Sequence, residues 1–347
     1  MKILWLRRRY FLFALALGLL CLACLHWSVR SNSSLVALNF FVNDTATCPG
    51  TLHAKPVCPD VPTEAAYLLA GKLNQDILLL NDSQLELYLD EIYYAINLND
   101  TKPGGEWSPT FCKPQYKVAV IVPYRDRKSH LDRLLAYLVP ILRRQLLSYV
   151  FIVAEQNGTS AFNKGRVMNA AFTVAEKFGA DCVIFHDVDL FPQDDRMPYG
   201  CPTLPFHMSP FVDTLNYTFL YPELVGGVLA FRTEHFKRVN GYSNKFWGWG
   251  GEDDNMGKRI MAERLKIQRV WTPLINRYTM IKHERRSSIN PSLVRKMLNK
   301  FRAKSKDYKT DGLNSKDHWT ILDISVKPLY YHVLVDVGSI PSFWKDK

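Results

Sequence analysis

Three unbroken apolar stretches punctuate the middle of the chain: KVAVIVP at Lys117–Pro123, YVFIVA at Tyr149–Ala154 and CVIFH at Cys182–His186. Runs of this length without polar alternation belong to strands covered on both faces. Between them, Lys128–Leu147 and Asn163–Phe178 carry apolar residues at helical spacing. Strands alternating with helices predict an α/β fold with a mostly parallel sheet. Such sheets bind ligands beyond the carboxyl ends of their strands. The residues directly after each apolar run are therefore the first place to look for chemistry.

A longer apolar run lies near the N-terminus, from Tyr10 to Trp27, interrupted only by Gly18 and His26. As a helix it would rise about 27 Å, against a bilayer core of about 30 Å. Lys2 and Arg7, Arg8 and Arg9 precede it, which predicts a cytosolic N-terminus and a lumenal bulk. A cleaved signal peptide is the competing reading, but the run exceeds a usual signal core and no small-residue cleavage site follows. The expected organisation is a cytoplasmic tail at 1–9, a transmembrane signal anchor at 10–27, a polar stem at 28–57 and a folded lumenal domain at 58–347.

Composition narrows the picture. The chain has 347 residues, and its net charge of +11 suits acidic partners such as nucleic acid, anionic lipid or a sugar nucleotide. No Lys/Arg block with interleaved aromatics runs through a helix, which argues against nucleic acid. Sequons for N-glycosylation stand at Asn32, Asn43, Asn81, Asn99, Asn157 and Asn216, each weak alone but together consistent with a secretory compartment. Cys21 and Cys24 fall in the span, leaving Cys48, Cys58, Cys112, Cys182 and Cys201 for an oxidising lumen.

Asp187-Val188-Asp189 follows the CVIFH strand directly. Two carboxylates at a strand end can place one on a hard cation and the other on a sugar hydroxyl, although a solvated turn carries the same spacing. Arg125 and Arg127 follow the first strand, where guanidinium groups grip diphosphate or flank a base, or simply face solvent. Trp247–Asp254, WGWGGEDD, is the most unusual segment. Its glycines permit close approach to a ligand, its tryptophans are expected to stack on sugar rather than build core, and its acids suit a helix N-terminus.

Taken in order, PYRDR (Pro123–Arg127), FNKGR (Phe162–Arg166), FHDVDLFP, VGGVLAFR, WGWGGEDD, YTMIKH (Tyr278–His283) and DGLNS (Asp311–Ser315) resemble the β-1,4-galactosyltransferase family, glycosyltransferase family 7. The resemblance covers residues 58 to 338. It implies a Golgi type II membrane enzyme with a GT-A fold, a Rossmann-like nucleotide-binding sandwich, using Mn²⁺. Carried over, Asp189, Met280 and His283 would be the metal ligands. Pro123, Arg125, Arg127, Phe162, Asn163, Lys164, Val188, Asp189 and Trp249 would bind the UDP-sugar, with Trp249 on a mobile loop. Asp253 would be the catalytic base, and Tyr221, Gly251, Glu252, Asp253 and Asp254 would bind the acceptor. The family's cysteine spacing implies Cys58–Cys112 and Cys182–Cys201 disulfides.

The chain also departs from the family pattern. Where family galactosyltransferases carry a Tyr against the C2 substituent of the donor sugar, this chain has Leu224. The loss of a ring and a hydroxyl leaves room for an N-acetyl group, as in invertebrate-type β-1,4-N-acetylgalactosaminyltransferases, unless Tyr217 or Phe219 fills the space. Registered on Pro291, the family's pocket for the acceptor acetamide falls on Leu293, Val294 and Met297. Lys164 and Asn255 replace a frequent Arg and Asp. The expected activity is GalNAc transfer from UDP-GalNAc to terminal GlcNAc. The alternatives are UDP-Gal as donor, or a non-catalytic glycan-binding relative.

Overall fold

The computed structural model describes residues 55–59, 69–97, 102–271, 275–282, 289–301 and 307–344. The expected anchor at 10–27, most of the stem, the sequons at Asn32, Asn43 and Asn99, and His283 lie outside the described residues. Among the described residues, no helix is long and apolar enough to cross a membrane. Residues 55–347 form one compact unit.

In chain order, the regular elements begin with α1 (Asp82–Asn97), β1 (Lys117–Tyr124), α2 (Lys128–Arg144), β2 (Ser148–Gln156), α3 (Lys164–Lys177) and β3 (Cys182–His186). Next come β4 (Leu190–Pro192), β5 (Phe206–His207), β6 (Phe211–Val212), β7 (Val228–Arg232), α4 (Thr233–Arg238) and α5 (Glu252–Ala262). The last are β8 (Arg277–Met280), α6 (Pro291–Lys300), β9 (Thr320–Val326) and β10 (Tyr331–Asp336).

The main sheet runs β5-β7-β3-β1-β2-β10-β9. Its centre is parallel, with β1 between β3 and β2 and β10 outside β2. The pairings of β7, β5 and β9 are antiparallel, so the sheet is mixed rather than mostly parallel. The three apolar runs are the central strands, and their residues Val118–Val122, Val150–Ala154 and Cys182–Ile184 are fully buried. One face packs on Leu131, Leu134, Leu138 and Leu142 of α2. The other packs on Val167, Ala170, Ala171 and Val174 of α3.

The helix after β1 ends at Arg144, three residues earlier than its apolar spacing suggests. Leu146 adopts a left-handed backbone (φ 52°), and the buried Gln145 amide donates to the carbonyls of Asp195 and Met197. The chain thereby turns tightly into β2. Both expected disulfides, Cys58–Cys112 and Cys182–Cys201, are formed. Asn81, Asn157 and Asn216 are exposed. A second, three-stranded sheet, β4-β8-β6, lies across the chain just after Asp189 and matters chiefly for the site.

Candidate active site

The site forms where the parallel strands end. β3 stops at His186, and the Asp187 amide donates to the carbonyl of Gly227 (3.0 Å) at the start of β7. His186 is fully buried, with Nδ1 at the Asp187 carbonyl and Nε2 at the Tyr199 hydroxyl. Burial pushes its pKa down to about 4, so it is a neutral strut under the DVD turn.

Asp187 and Asp189 have different partners. The Asp187 carboxylate lies 2.9 Å from Lys164 Nζ, whereas Asp189, 7 % exposed, faces Arg127 Nη1 at 3.8 Å. β4 and β8 pair so that Leu190 lies opposite Met280, and the Ile281 amide donates to the Asp189 carbonyl (3.0 Å). Backbone pairing thus brings Met280 beside Asp189 from 91 residues away along the chain. The Thr214 hydroxyl donates to Met280 Sδ (3.6 Å), and Asp213 accepts from the Met280 amide. Among the described residues, no three His, Cys, Asp or Glu side chains converge to hold a metal. Of the three expected ligands, the structure brings Asp189 and Met280 together, and His283 lies outside the described residues.

Facing the DVD turn is the N-terminus of α5, whose first turn is Glu252, Asp253 and Asp254. Lys164, the first residue of α3, reaches into the gap: its Nζ lies 3.4 Å from Asp253 and 3.7 Å from Glu252. Burial opposes its charge, yet Asp187, Asp253 and Glu252 together hold its pKa well above the ordinary value. The carboxylates are crowded in turn. Burial, with Asp253 alongside, pushes Glu252 up to about 8, and burial raises Asp187 to about 6 against the pull of Lys164. One lysine does not balance this cluster.

Gly251 caps α5 at φ 97°, and an added Cβ would meet Phe246 and Val294 at 2.6–2.7 Å. Val294, Leu293 and Met297 of α6 all pack on the core, and Val294, one of the three residues read as an acetamide pocket, lies at the acid-bearing helix start. The Tyr221 hydroxyl donates to Asp254 Oδ1 (2.6 Å). Gly226 lies flush against the base candidate: a Cβ there would sit 2.9 Å from Asp253 Oδ2. Tyr221, Asp253 and Asp254 therefore share one cleft wall.

Arg125, Arg127, Phe162 and Asn163, expected to bind the nucleotide, lie on the two loops after β1 and β2. Arg125 donates to the carbonyls of Ser160 (2.7 Å) and Gly158, and its guanidinium lies 5.4 Å over the Phe162 ring. Pro123 and Val188 are buried beneath these loops. Asn163 is fully buried and its side chain is spent internally: it caps α3 by accepting from the Arg166 amide and donates to the Asn244 carbonyl. Any nucleotide contact from this position falls to neighbouring atoms.

The two tryptophans separate. Trp249 is 61 % exposed among glycines. Trp247 is fully buried under the Arg166 guanidinium (4.8 Å), which corrects the expectation that neither would build core. Tyr217 and Phe219, the two rings that could fill the space beside Leu224, each have partners of their own. Tyr217 bonds Gln193 beneath Arg277, and Phe219 packs on Phe211 and Trp271. Sequence reading missed His207 and Arg269, 62 residues apart, which meet behind this segment (3.2 Å).

Comparison with known proteins agrees with this geometry. Residues 74–202 match the family model described as the N-terminal region of glycosyl transferase group 7, and residues 206–284 match the one described as the N-terminal domain of galactosyltransferase. Human β-1,4-galactosyltransferase 6 is 37% identical over 279 residues, covering 80% of this chain and 70% of the relative. Zebrafish (Danio rerio) β-1,4-galactosyltransferase 5 is 34% identical over 320 residues, covering 90% and 80%. Among solved structures, the catalytic domain of Drosophila β1,4-galactosyltransferase 7 with xylobiose superposes with a TM-score of 0.57 at 27% identity, over 67% of this chain and 99% of that one. A variant of the same fly enzyme, solved with manganese, UDP-Gal and xylobiose, gives 0.55 at 27% identity, over 65% and 95%.

Proposed function

The chain belongs to the β-1,4-galactosyltransferase family, glycosyl transferase group 7, and on that premise we propose that this UDP-sugar glycosyltransferase is a Mn²⁺-dependent β-1,4-N-acetylgalactosaminyltransferase acting on terminal GlcNAc. The supporting observation for the reaction is the cleft itself. Asp189 and Met280 stand on one side, and Asp253 and Tyr221 on the other, with Lys164 between.

The residues present fit a divalent cation. Asp187, Glu252 and Asp253 crowd around the single Lys164, and Asp189 lies beside them, 3.8 Å from Arg127. Asp189 offers a hard oxygen, and Met280 a soft sulfur that makes the weaker bond. When bound, the metal supplies charge neutralisation for the departing diphosphate.

The chain's own residues do the rest. A β linkage from an α-linked donor requires one in-line displacement, so no second carboxylate nucleophile is needed. Asp253, 25% exposed at its side chain, accepts the acceptor hydroxyl proton as that oxygen attacks the anomeric carbon. Arg125 and Phe162 wall the base, and Arg127 and Lys164 supply positive charge on the phosphate side. Trp249, exposed on its glycine-rich loop, closes over the donor and excludes water. Tyr221, Glu252 and Asp254 orient the acceptor sugar.

Leu224 supports GalNAc as donor, since it stands where the family pattern has a Tyr and so lacks a ring and a hydroxyl. UDP-Gal is the second reading, favoured by the donor bound in the fly structure. The test is kcat/KM of the purified full chain with Mn²⁺, a GlcNAc-terminated acceptor and each donor in turn. A preference for UDP-GalNAc of about tenfold, ~1.4 kcal/mol, is expected. The same preference for UDP-Gal would overturn the Leu224 reading. The proposal places the domain in the Golgi lumen, anchored by residues 10–27 as a single-pass type II protein.

A further inference from the structure

The segment between Phe219 and Val228 forms one wall of the cleft, and its backbone is gripped from behind. Arg269 Nη2 donates to the carbonyls of Pro222 and Leu224, both at 2.7 Å. The same guanidinium lies 4.8 Å over the Phe219 ring. Its Nε donates to His207 Nδ1 (3.2 Å), which fixes the imidazole tautomer: His207 carries its proton on Nε2 and donates it to the Gly226 carbonyl (3.0 Å). His207 is fully buried on β5. Burial and the Arg269 charge push its pKa down to about 3, so the tautomer persists.

The pair therefore holds the carbonyls of residues 222, 224 and 226, alternate positions along a short strap. A strap gripped at alternate carbonyls cannot rotate about its own axis. The backbone of Leu224 and that of Gly226 are thereby held in a fixed relation to each other. Gly226 faces Asp253, and at the strap's start Tyr221 reaches Asp254. Further along the same helix the strap is also tight, since a Cβ on Gly257 of α5 would meet the Glu223 carbonyl at 2.1 Å.

We infer that Arg269 and His207 are positioning residues that set donor choice by holding the 222–226 strap, and with it Leu224, in register with Asp253. The inference rests on the transferase reading proposed above. It predicts that a substitution behind the strap, away from every group assigned to the substrate, changes which sugar is transferred.

Arg269→Lys keeps the positive charge but has one nitrogen in place of three, and cannot hold two carbonyls and an imidazole together. The readout is the ratio of kcat/KM for UDP-GalNAc to that for UDP-Gal. This ratio is independent of the fraction of enzyme that is folded, so a merely structural role leaves it unchanged. A shift in the ratio of about threefold or more is expected. Amide exchange measured on the same variant should rise within residues 219–228 and not in the central strands. An unchanged ratio in an active variant overturns the inference, as does unchanged exchange in the strap. If the wild-type chain transfers neither sugar, the transferase reading fails on its own, and the exchange experiment still judges the clamp.

Discussion

At the residue scale, the site is a problem of charge held in a small space. Lys164 stands within 4 Å of Asp187, Glu252 and Asp253, and its position fixes where those carboxylates sit before any ligand arrives. Gly251 solves a different problem, combining a left-handed backbone with a contact surface that has no room for Cβ. Gly251→Ala should destabilise the protein by about 2 kcal/mol, read as a lower midpoint in denaturant unfolding. An unchanged midpoint would mean that Phe246 and Val294 yield without cost. The positions of Asp189 just past β3 and Asp253 at the start of α5 were legible in the sequence, because a buried apolar run and a glycine-rich turn mark those element ends, whereas their roles came only from the family resemblance. Trp247 was misread, because its burial depends on Arg166, 81 positions earlier, and no local pattern reports that stacking.

At the scale of elements, the central strands were legible because burial on both faces leaves unbroken apolar runs. The antiparallel additions were not. β5 and β6 are two residues each, too short to show a pattern, and β9 alternates apolar Leu322, Ile324 and Val326 with polar Asp323 and Ser325 but leaves the apolar side exposed at the sheet edge. These short elements nevertheless place chemistry, with β8 bringing Met280 to Asp189 and β5 bringing His207 to the strap. His207 also makes stability depend on pH. Its pKa is lowered when folded, so the stability it contributes is full above the ordinary histidine value of about 6.5 and is lost as pH falls toward about 3. Glu252, raised to about 8, acts in the opposite sense, its contribution being lost as pH rises from the ordinary carboxylate range to about 8. The comparison that isolates the imidazole is the unfolding free energy of wild type against His207→Asn. The gap should shrink by a few kcal/mol between pH 7 and pH 4. A gap independent of pH would show that His207 is not held neutral.

At the scale of the molecule, two covalent ties and one buried ion pair hold the domain around its sheet. Cys58–Cys112 closes a loop with a sequence separation of 54 and fastens the first described segment, where Val57 bridges Lys113, ahead of β1. Replacing both cysteines by serine should cost about 3–4 kcal/mol, seen as a lower unfolding midpoint, and a loss under about 1 kcal/mol would contradict that role. Arg259, buried at 1 % exposure on α5, meets Asp311 at 3.2 Å, and Asp311 also accepts from Ser243 and the Asn244 amide. The DGLNS segment thus ties the acid-bearing helix to the approach of the tryptophan loop, which gives that motif a structural purpose. Sheet, helix start and loop converge on Asp253, and the account stands on that carboxylate. The decisive measurement is acceptor-dependent UDP release by Asp253→Asn beside wild type, with Mn²⁺, together with UDP-sugar affinity by calorimetry. The account predicts affinity within about threefold of wild type and turnover lowered by about a hundredfold or more. Wild-type turnover in the variant would remove Asp253 as the base.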